Sequence, residues 1–171
     1  DPGHGPKGSL YRFDAAGNCK TFLTGIQVPN AICWSPDNSV MYFADSYEGR
    51  IRAYDFDLDA GEISNERIFA DTGDEEGHPD GATVDAEGYL WSAQIFGGKI
   101  IRYEPDGSLD RVVEFPTSRV TCCAFGGADL DVLYVTTASF GMDRDALAAD
   151  PLAGMTFAVN VGIKGLPEPR F

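Results

Sequence analysis

The fold is decided by residues 29–38, PNAICWSPDN, together with the apolar run 40–45, VMYFAD, and the segment 49–55, GRIRAYD. The same order of segments returns 50 residues further on as 79–88, PDGATVDAEG, 89–94, YLWSAQ, and 98–104, GKIIRYE. Each unit consists of short runs rich in aromatic and β-branched residues between Gly and Pro, which indicates strands joined by turns. A repeating unit of this kind predicts the four-stranded blade of a β-propeller. The expected fold class is therefore all-β.

A third copy of the unit and part of a fourth extend the repeat. The third comprises 121–127, 132–137 and 155–159, and the partial copy comprises 8–13 and 20–23. The copies are spaced by roughly 40 to 50 residues, so about three and a half blades are present. Closed propellers have about four to eight blades, because closure protects the strand edges. We therefore expect residues 1–171 to form one partial propeller domain, truncated at its N-terminus, that self-associates when alone.

Composition argues against several classes of partner. The 171 residues are 43% hydrophobic, and 27 Asp and Glu against 13 Lys and Arg give a net charge of −14. A field of this sign repels phosphate backbones and anionic lipids, so neither nucleic acid nor a membrane is an expected partner. No apolar run reaches the roughly 18 residues that cross a bilayer, and there is no signal-peptide pattern, so we expect a cytoplasmic protein. The four cysteines form no zinc-binding pattern, and the only helix expected is 143–149.

Two polar residues occupy matching places in successive units. Asn30 follows Pro29 and Asp80 follows Pro79, each at the start of the first strand of its unit. Since the first strand of each propeller blade runs along the central channel, the two side chains are expected to meet at the channel rim. An amide oxygen and a carboxylate are ligands that Ca²⁺ and Mg²⁺ prefer. The alternative is that both are turn residues, because Asn and Asp after Pro commonly initiate turns.

Several segments, in order and at their spacing, resemble the SMP-30/gluconolactonase/regucalcin family. They are 29–37 (PNAICWSPD), 42–46 (YFADS), 54–57 (YDFD), 61–65 (GEISN), 79–91 (PDGATVDAEGYLW) and the closing 162–167 (GIKGLP). The resemblance covers nearly the whole chain, which makes it far more specific than any single short motif. It implies that the chain is the C-terminal part of a six-bladed propeller.

The resemblance also implies a function. Members of the family bind one divalent metal ion in the central channel, and many hydrolyse sugar lactones such as gluconolactone. By resemblance, Asn30 falls on a metal ligand of the family, and Asp80 falls on a residue that is both metal ligand and acid/base. The expected cofactor is one divalent ion: Ca²⁺, Zn²⁺, Mn²⁺ or Mg²⁺. The family's glutamate ligand and its substrate-orienting Arg and Asn lie before the blades present here, so they have no counterpart in this sequence.

Weaker candidates and rival functions remain open at this point. Asp45 ends the second strand of its unit and His78 lies two residues before Asp80, so either could contact a substrate, although a turn cap and an exposed loop histidine are the alternatives. Trp34 and Trp91 are expected in matching strands, as core residues between blades. The rivals to a metal-dependent lactonase are a calcium-binding or scaffold propeller without turnover and a propeller hydrolase that acts on another ester.

Overall fold

The computed structural model describes residues 5–73 and 76–167. Within them the strands, in chain order, are β1 Gly8–Phe13, β2 Cys19–Ile26, β3 Pro29–Trp34, β4 Val40–Asp45, β5 Arg50–Asp57, β6 Glu62–Asp71, β7 His78–Val84, β8 Leu90–Ile95, β9 Lys99–Tyr103, β10 Leu109–Glu114, β11 Val120–Gly126, β12 Val132–Thr137 and β13 Thr156–Asn160. A 3-10 turn, Ser46–Glu48, follows β4, and one short helix, α1, spans Arg144–Ala149. The side chain of Asp143 caps α1 by accepting from the Ala146 N–H at 2.8 Å, so the expected helix is confirmed.

The strands form four antiparallel sheets that follow one another along the chain. Two sheets are complete four-stranded blades, ordered β3-β4-β5-β6 and β7-β8-β9-β10. The sheet β11-β12-β13 has three strands, and β1-β2 is a hairpin. The first strands lie side by side, because β3 packs against β7 and β7 packs against β11. The predicted all-β class and partial propeller are confirmed.

Three hydrophobic cores lie between consecutive sheets. Side chains of β4 explain the arrangement, since Met41 and Phe43 pack toward the β1-β2 hairpin whereas Tyr42 and Ala44 pack toward the second complete blade. Successive residues of a strand point to opposite faces, so a central strand between two neighbours must be apolar on both. This is why 40–45 reads as a continuous apolar run rather than an alternating one.

The two tryptophans differ from expectation. Trp91 lies in β8, is fully buried and belongs to the core between the second and third blades. Trp34 lies in β3, a first strand, and is 36% exposed, with its ring edge-on to Phe56 at 5.8 Å. The expectation of matching strands and two core residues is therefore wrong for Trp34, because its ring lies with Phe56 on the face that meets the β1-β2 hairpin, and this two-stranded sheet leaves it partly exposed. Within 5–73 and 76–167, none of the helices has the length and apolar character needed to cross a membrane.

Candidate metal centre

The structure places Asn30 and Asp80 on neighbouring first strands, as the repeat predicts. Asn30 is the second residue of β3 and Asp80 is the third residue of β7. The strand register confirms that their surroundings are equivalent, because Pro29 pairs with Asp45 in one blade and Pro79 pairs with Gln94 in the next. Both side chains are half-buried. Two residues that are 50 positions apart in the sequence therefore lie on adjacent strands.

A single serine joins the two strands at this level. Asn30 Nδ2 donates a hydrogen bond to Ser46 Oγ at 2.8 Å, and Ser46 Oγ donates to the backbone oxygen of Pro79 at 2.7 Å. Ser46 is only 6% exposed, so water does not compete strongly for these bonds. The side chain of Asn30 and the backbone next to Asp80 are therefore held by one shared hydroxyl.

Burial makes the carboxyl group of Asp80 a weaker acid than an exposed aspartate. Desolvation raises its pKa from 3.8 to about 6, and the N–H of Gly81 opposes this rise only in part. No described cation is close enough to contribute to the value. A carboxylate in this condition binds a proton or a metal ion more readily than an exposed one, because either partner removes the cost of its uncompensated charge.

Each of the first strands carries a bulge at the same level. The register shifts by one residue between Asn30 and Cys33 in β3, between Pro79 and Ala82 in β7, and between Val120 and Cys122 in β11. Bulges re-aim side chains and are frequent beside active sites. In β3 the bulge includes Ala31, whose φ of 51° is uncommon for a residue other than Gly. The backbone is therefore irregular where the candidate ligands lie.

A cavity of about 360 Å³ opens beside these bulges. Asn30, Gly81 and Cys122 are among its lining residues, together with apolar side chains that include Leu10 and Phe43. Gly81 has no room for a side chain, because a Cβ there would lie 2.4 Å from Cys122 Sγ and 2.9 Å from Cys122 Cα. Burial raises the pKa of Cys122, and the charge of Asp80 adds to the rise. Cys122 of the third blade therefore belongs to the same neighbourhood as Asp80.

The side chain of Asp45 is used in hydrogen bonds to backbone N–H groups. Its buried carboxylate accepts hydrogen bonds from the N–H groups of Gln27 at 2.7 Å, Val28 at 2.9 Å and Tyr47 at 3.3 Å. It also serves as the N-cap of the 3-10 turn. This placement favours the turn-capping alternative over substrate contact.

His78 lies on the exposed side of the same rim. It is the first residue of β7, and its ring stacks on Tyr47 with centroids 6.0 Å apart and planes inclined by 18°. Tyr47 and His78 also line a second cavity of about 300 Å³. The histidine is therefore an ordered strand residue at the cavity rim rather than part of a free loop, and its substrate contact stays a prediction.

The chemical type of the two candidate ligands, both of them oxygen donors, fits a hard divalent cation. Asn30 supplies an amide oxygen and Asp80 a carboxylate, and both are ligand types of Ca²⁺ and Mg²⁺. No group of three or more His, Cys, Asp or Glu side chains close enough to share an ion occurs among the described residues. Two protein ligands leave most coordination positions for water, for substrate or for other residues of the protein.

Sequence reasoning missed Ser46 and Cys122 as members of this neighbourhood. Ser46 follows a strand end like any turn serine, and its bond to Pro79 spans 33 residues, so no local pattern reveals it. Cys122 could have been found from the repeat, because β11 places it beside the bulge that corresponds to those of Asn30 and Asp80. Its apolar neighbours in the run 120–125 give no sign by themselves that it lines a cavity.

Fold and site together define a partial β-propeller in which two neighbouring first strands each carry one candidate oxygen ligand for a divalent cation. Residues 1–139 match the model of the family described as SMP-30/Gluconolactonase/LRE-like region, and the chain belongs to that family. It is 42% identical over 161 residues to regucalcin of Danio rerio, covering 93% of this chain and 55% of the relative. Regucalcin of Homo sapiens is 37% identical over 162 residues, covering 94% and 54%. The chain thus spans about half the length of the curated relatives it matches.

Solved structures give the same assignment. A regucalcin from Agrobacterium tumefaciens, described as a calcium-binding protein, superposes with a TM-score of 0.92 at 35% identity over 97% of this chain and 56% of its own. A gluconolactonase from Xanthomonas campestris superposes with a TM-score of 0.64 at 28% identity over 75% of this chain and 41% of its own. The family predicted from the quoted segments is therefore confirmed.

Proposed function

We propose that the protein containing this sequence hydrolyses a sugar lactone with the help of one divalent metal ion, held in part by Asn30 and Asp80. The observation that carries the proposal is that Asn30 and Asp80 hold equivalent places on two adjacent first strands, which Ser46 joins by hydrogen bonds, and that Asn30 lines a cavity there. The similarity to a gluconolactonase adds support for the substrate class. The expected partner is thus a small-molecule lactone.

The chemistry follows from these residues. When bound, a Ca²⁺, Zn²⁺, Mn²⁺ or Mg²⁺ ion would polarise the lactone carbonyl as a Lewis acid. Asp80 would take a proton from the attacking water as the new C–O bond forms. It would return that proton to the ring oxygen as the ring C–O bond breaks, so that the product is the open hydroxy acid. The pKa of about 6 belongs to the metal-free carboxyl, and a bound cation would lower it, so Asp80 would be ionised at neutral pH and able to accept the proton of the water.

The second candidate is a calcium-binding propeller without turnover. It is favoured by the regucalcin relatives and by the Agrobacterium protein described as calcium-binding. Such a protein would use the same two ligands and would lack the groups that orient a substrate. The two functions share the metal and differ in catalysis, so an activity measurement separates them. A cytoplasmic location and the absence of nucleic-acid and membrane partners remain predictions.

The test uses the protein at its native length, purified from its source. A panel of aldonolactones is compared with simple esters after chelation and after return of Ca²⁺, Zn²⁺, Mn²⁺ or Mg²⁺. The proposal expects lactone hydrolysis that is lost with chelator, restored by a divalent ion and lost again in Asp80→Asn. The control is Asp55→Asn, since Asp55 lies on β5, pairs with Arg67 of β6 and is away from the first strands. Metal binding without hydrolysis would favour the second candidate, and hydrolysis of esters alone would favour another hydrolase.

A further inference from the structure

We propose that Ser46 is a positioning residue that fixes which end of the Asn30 amide is available as a metal ligand. This inference rests on the proposed metal site and concerns a residue outside the ligand set. Ser46 lies at the start of the 3-10 turn that follows β4 and is 6% exposed. Within the described part of the chain, its hydroxyl forms hydrogen bonds both to the Asn30 side chain and to the β7 backbone.

The orientation of Asn30 follows from counting protons. A serine hydroxyl has one proton to donate, and a backbone carbonyl can only accept. Since Ser46 Oγ lies 2.7 Å from the Pro79 oxygen, its proton is used there. The contact of 2.8 Å between Ser46 Oγ and the Asn30 amide must then be a bond that Asn30 donates through Nδ2. Oδ1 is consequently turned away from Ser46, and no described residue donates a hydrogen bond to it.

This orientation matters because the two ends of an amide are opposite in function. Oδ1 is a hard-cation ligand, whereas Nδ2 carries two hydrogens and repels a cation. Asn30 lines the cavity, so a rotation of about 180° at its terminal torsion would present the wrong end to a metal ion. Without the hydroxyl of Ser46, both orientations become accessible. Residues that orient metal ligands in this way typically change metal affinity by about 10–100-fold when removed.

The position of Ser46 is itself fixed by the backbone around it. Its N–H donates to the Val28 oxygen at 3.0 Å, and the carboxylate of the preceding Asp45 accepts from the Gln27 and Val28 N–H groups. These bonds tie the 3-10 turn to the two residues that precede β3. These backbone bonds therefore hold the Ser46 hydroxyl in a fixed position beside the Asn30 side chain. Asp45 contributes by holding the turn rather than by contacting a ligand.

The described sheets that begin with β7 and β11 lack this arrangement. The register places Ile95 after Gln94, the counterpart of Asp45, and Ala138 after Thr137. Neither side chain can donate or accept a hydrogen bond. Among these three described sheets, only the one that carries the asparagine has a hydroxyl here, as expected if the hydroxyl serves an amide. The carboxylate of Asp80 needs no such partner, because its two oxygens are equivalent as ligands.

The experiment measures Ca²⁺ binding by calorimetry in the protein at its native length. Ser46→Ala is expected to weaken binding by about 10–100-fold. Ser46→Thr keeps the hydroxyl and is expected to recover most of the affinity. The matched control is Ser92→Ala, which removes the hydroxyl of another buried serine that contacts no candidate ligand, and binding should stay within about twofold of the wild type. A merely structural role would weaken binding equally in both serine-to-alanine variants and would overturn the inference.

The asparagine variant separates this inference from the proposed function. If Asn30→Ala abolishes Ca²⁺ binding and Ser46→Ala leaves it unchanged, the positioning role is wrong and the metal site stands. If Asn30→Ala has no effect, the proposed metal site fails and the inference falls with it. Should Ser46→Ala not fold, the unmodified protein gives a second test by ¹⁵N nuclear magnetic resonance. The Asn30 side-chain amide protons should exchange with water more slowly than those of exposed asparagines, and exchange at the same rate would overturn the inference.

Discussion

The raised pKa of Asp80 predicts that this carboxylate destabilises the metal-free protein. The folded state holds the Asp80 proton up to a pH of about 6, whereas an unfolded aspartate releases it near 3.8. Between these values the folded state binds more protons than the unfolded state, so stability falls as the pH rises from about 4 to 6. Above pH 6 the Asp80 carboxyl is ionised in both states, and stability falls no further on its account. Replacing the carboxylate by the neutral amide of Asn should therefore stabilise the metal-free protein at neutral pH.

The size of the effect follows from the shift. The full difference between 3.8 and about 6 corresponds to about 3 kcal/mol at one pKa unit per 1.36 kcal/mol. Asp80 is only half-buried, and the amide retains part of the desolvation cost, so we expect about 1–2 kcal/mol. For a domain of this size that raises the Tm by about 3–6 °C. A gain in stability from loss of a functional group is the usual trade-off at active sites.

The assay is thermal unfolding of the wild type and Asp80→Asn at pH 4 to 8 in a chelating buffer. The difference in Tm should be near zero at pH 4 and reach its full value above pH 6. Asp37→Asn is the matched control with the opposite sign, because hydrogen bonds from Ser35 and Ser39 lower the pKa of Asp37 to about 2. That carboxylate stabilises the folded state above pH 3.8 and loses this effect as the pH falls toward 2, so its removal should lower the Tm at pH 7.5.

Two results would refute this reasoning. The first is an Asp80→Asn variant with an unchanged or lower Tm at pH 7.5 without metal. The second is a Tm difference that does not depend on pH. Either would mean that Asp80 is not desolvated in the folded protein.

Further perturbations test other parts of the structure. Asp85→Asn should lower the Tm by about 6–12 °C, because the buried Arg102 and the Trp91 N–H lose their charged acceptor at a cost of about 3 kcal/mol; a change below 2 °C would contradict this. Gly81→Ala should cost about 1–3 kcal/mol in denaturant unfolding, since its Cβ would overlap Cys122, and an unchanged midpoint would show that the strands are further apart. The isolated 171-residue chain should self-associate in sedimentation, whereas a stable monomer would contradict the expected open blade faces.

The repeat in the sequence predicts the blades and the equivalence of positions within them. The place of Asn30 and Asp80 after proline predicts that they are equivalent, and the strand register confirms this, because their preceding prolines pair with Asp45 and Gln94 at the ends of the second strands. Such predictions succeed because each blade repeats the same order of strands and must bury apolar side chains against its neighbouring blades. The metal role of the pair stays a prediction, since it depends on coordination rather than on the fold.

Contacts between blades were not predictable in this way. The bond from Ser46 to Pro79 and the close approach of Gly81 to Cys122 join residues that are far apart in sequence and share no local pattern. Trp34 shows the same limit, because a large aromatic residue suggests burial, whereas its exposure depends on how much of that face the β1-β2 hairpin covers. Local pattern fixes the strands, and the packing of one blade on the next decides which polar atoms meet.

The central claim is that Asn30 and Asp80 hold one divalent ion. It is tested most directly by calorimetric titration of Ca²⁺ into the protein at its native length and into its Asn30→Ala and Asp80→Ala variants. We expect one ion per chain in the wild type, and binding weakened by at least about 100-fold in each variant, since each loses an oxygen ligand. Wild-type affinity in Asp80→Ala would contradict the claim and would place any metal site of this protein elsewhere.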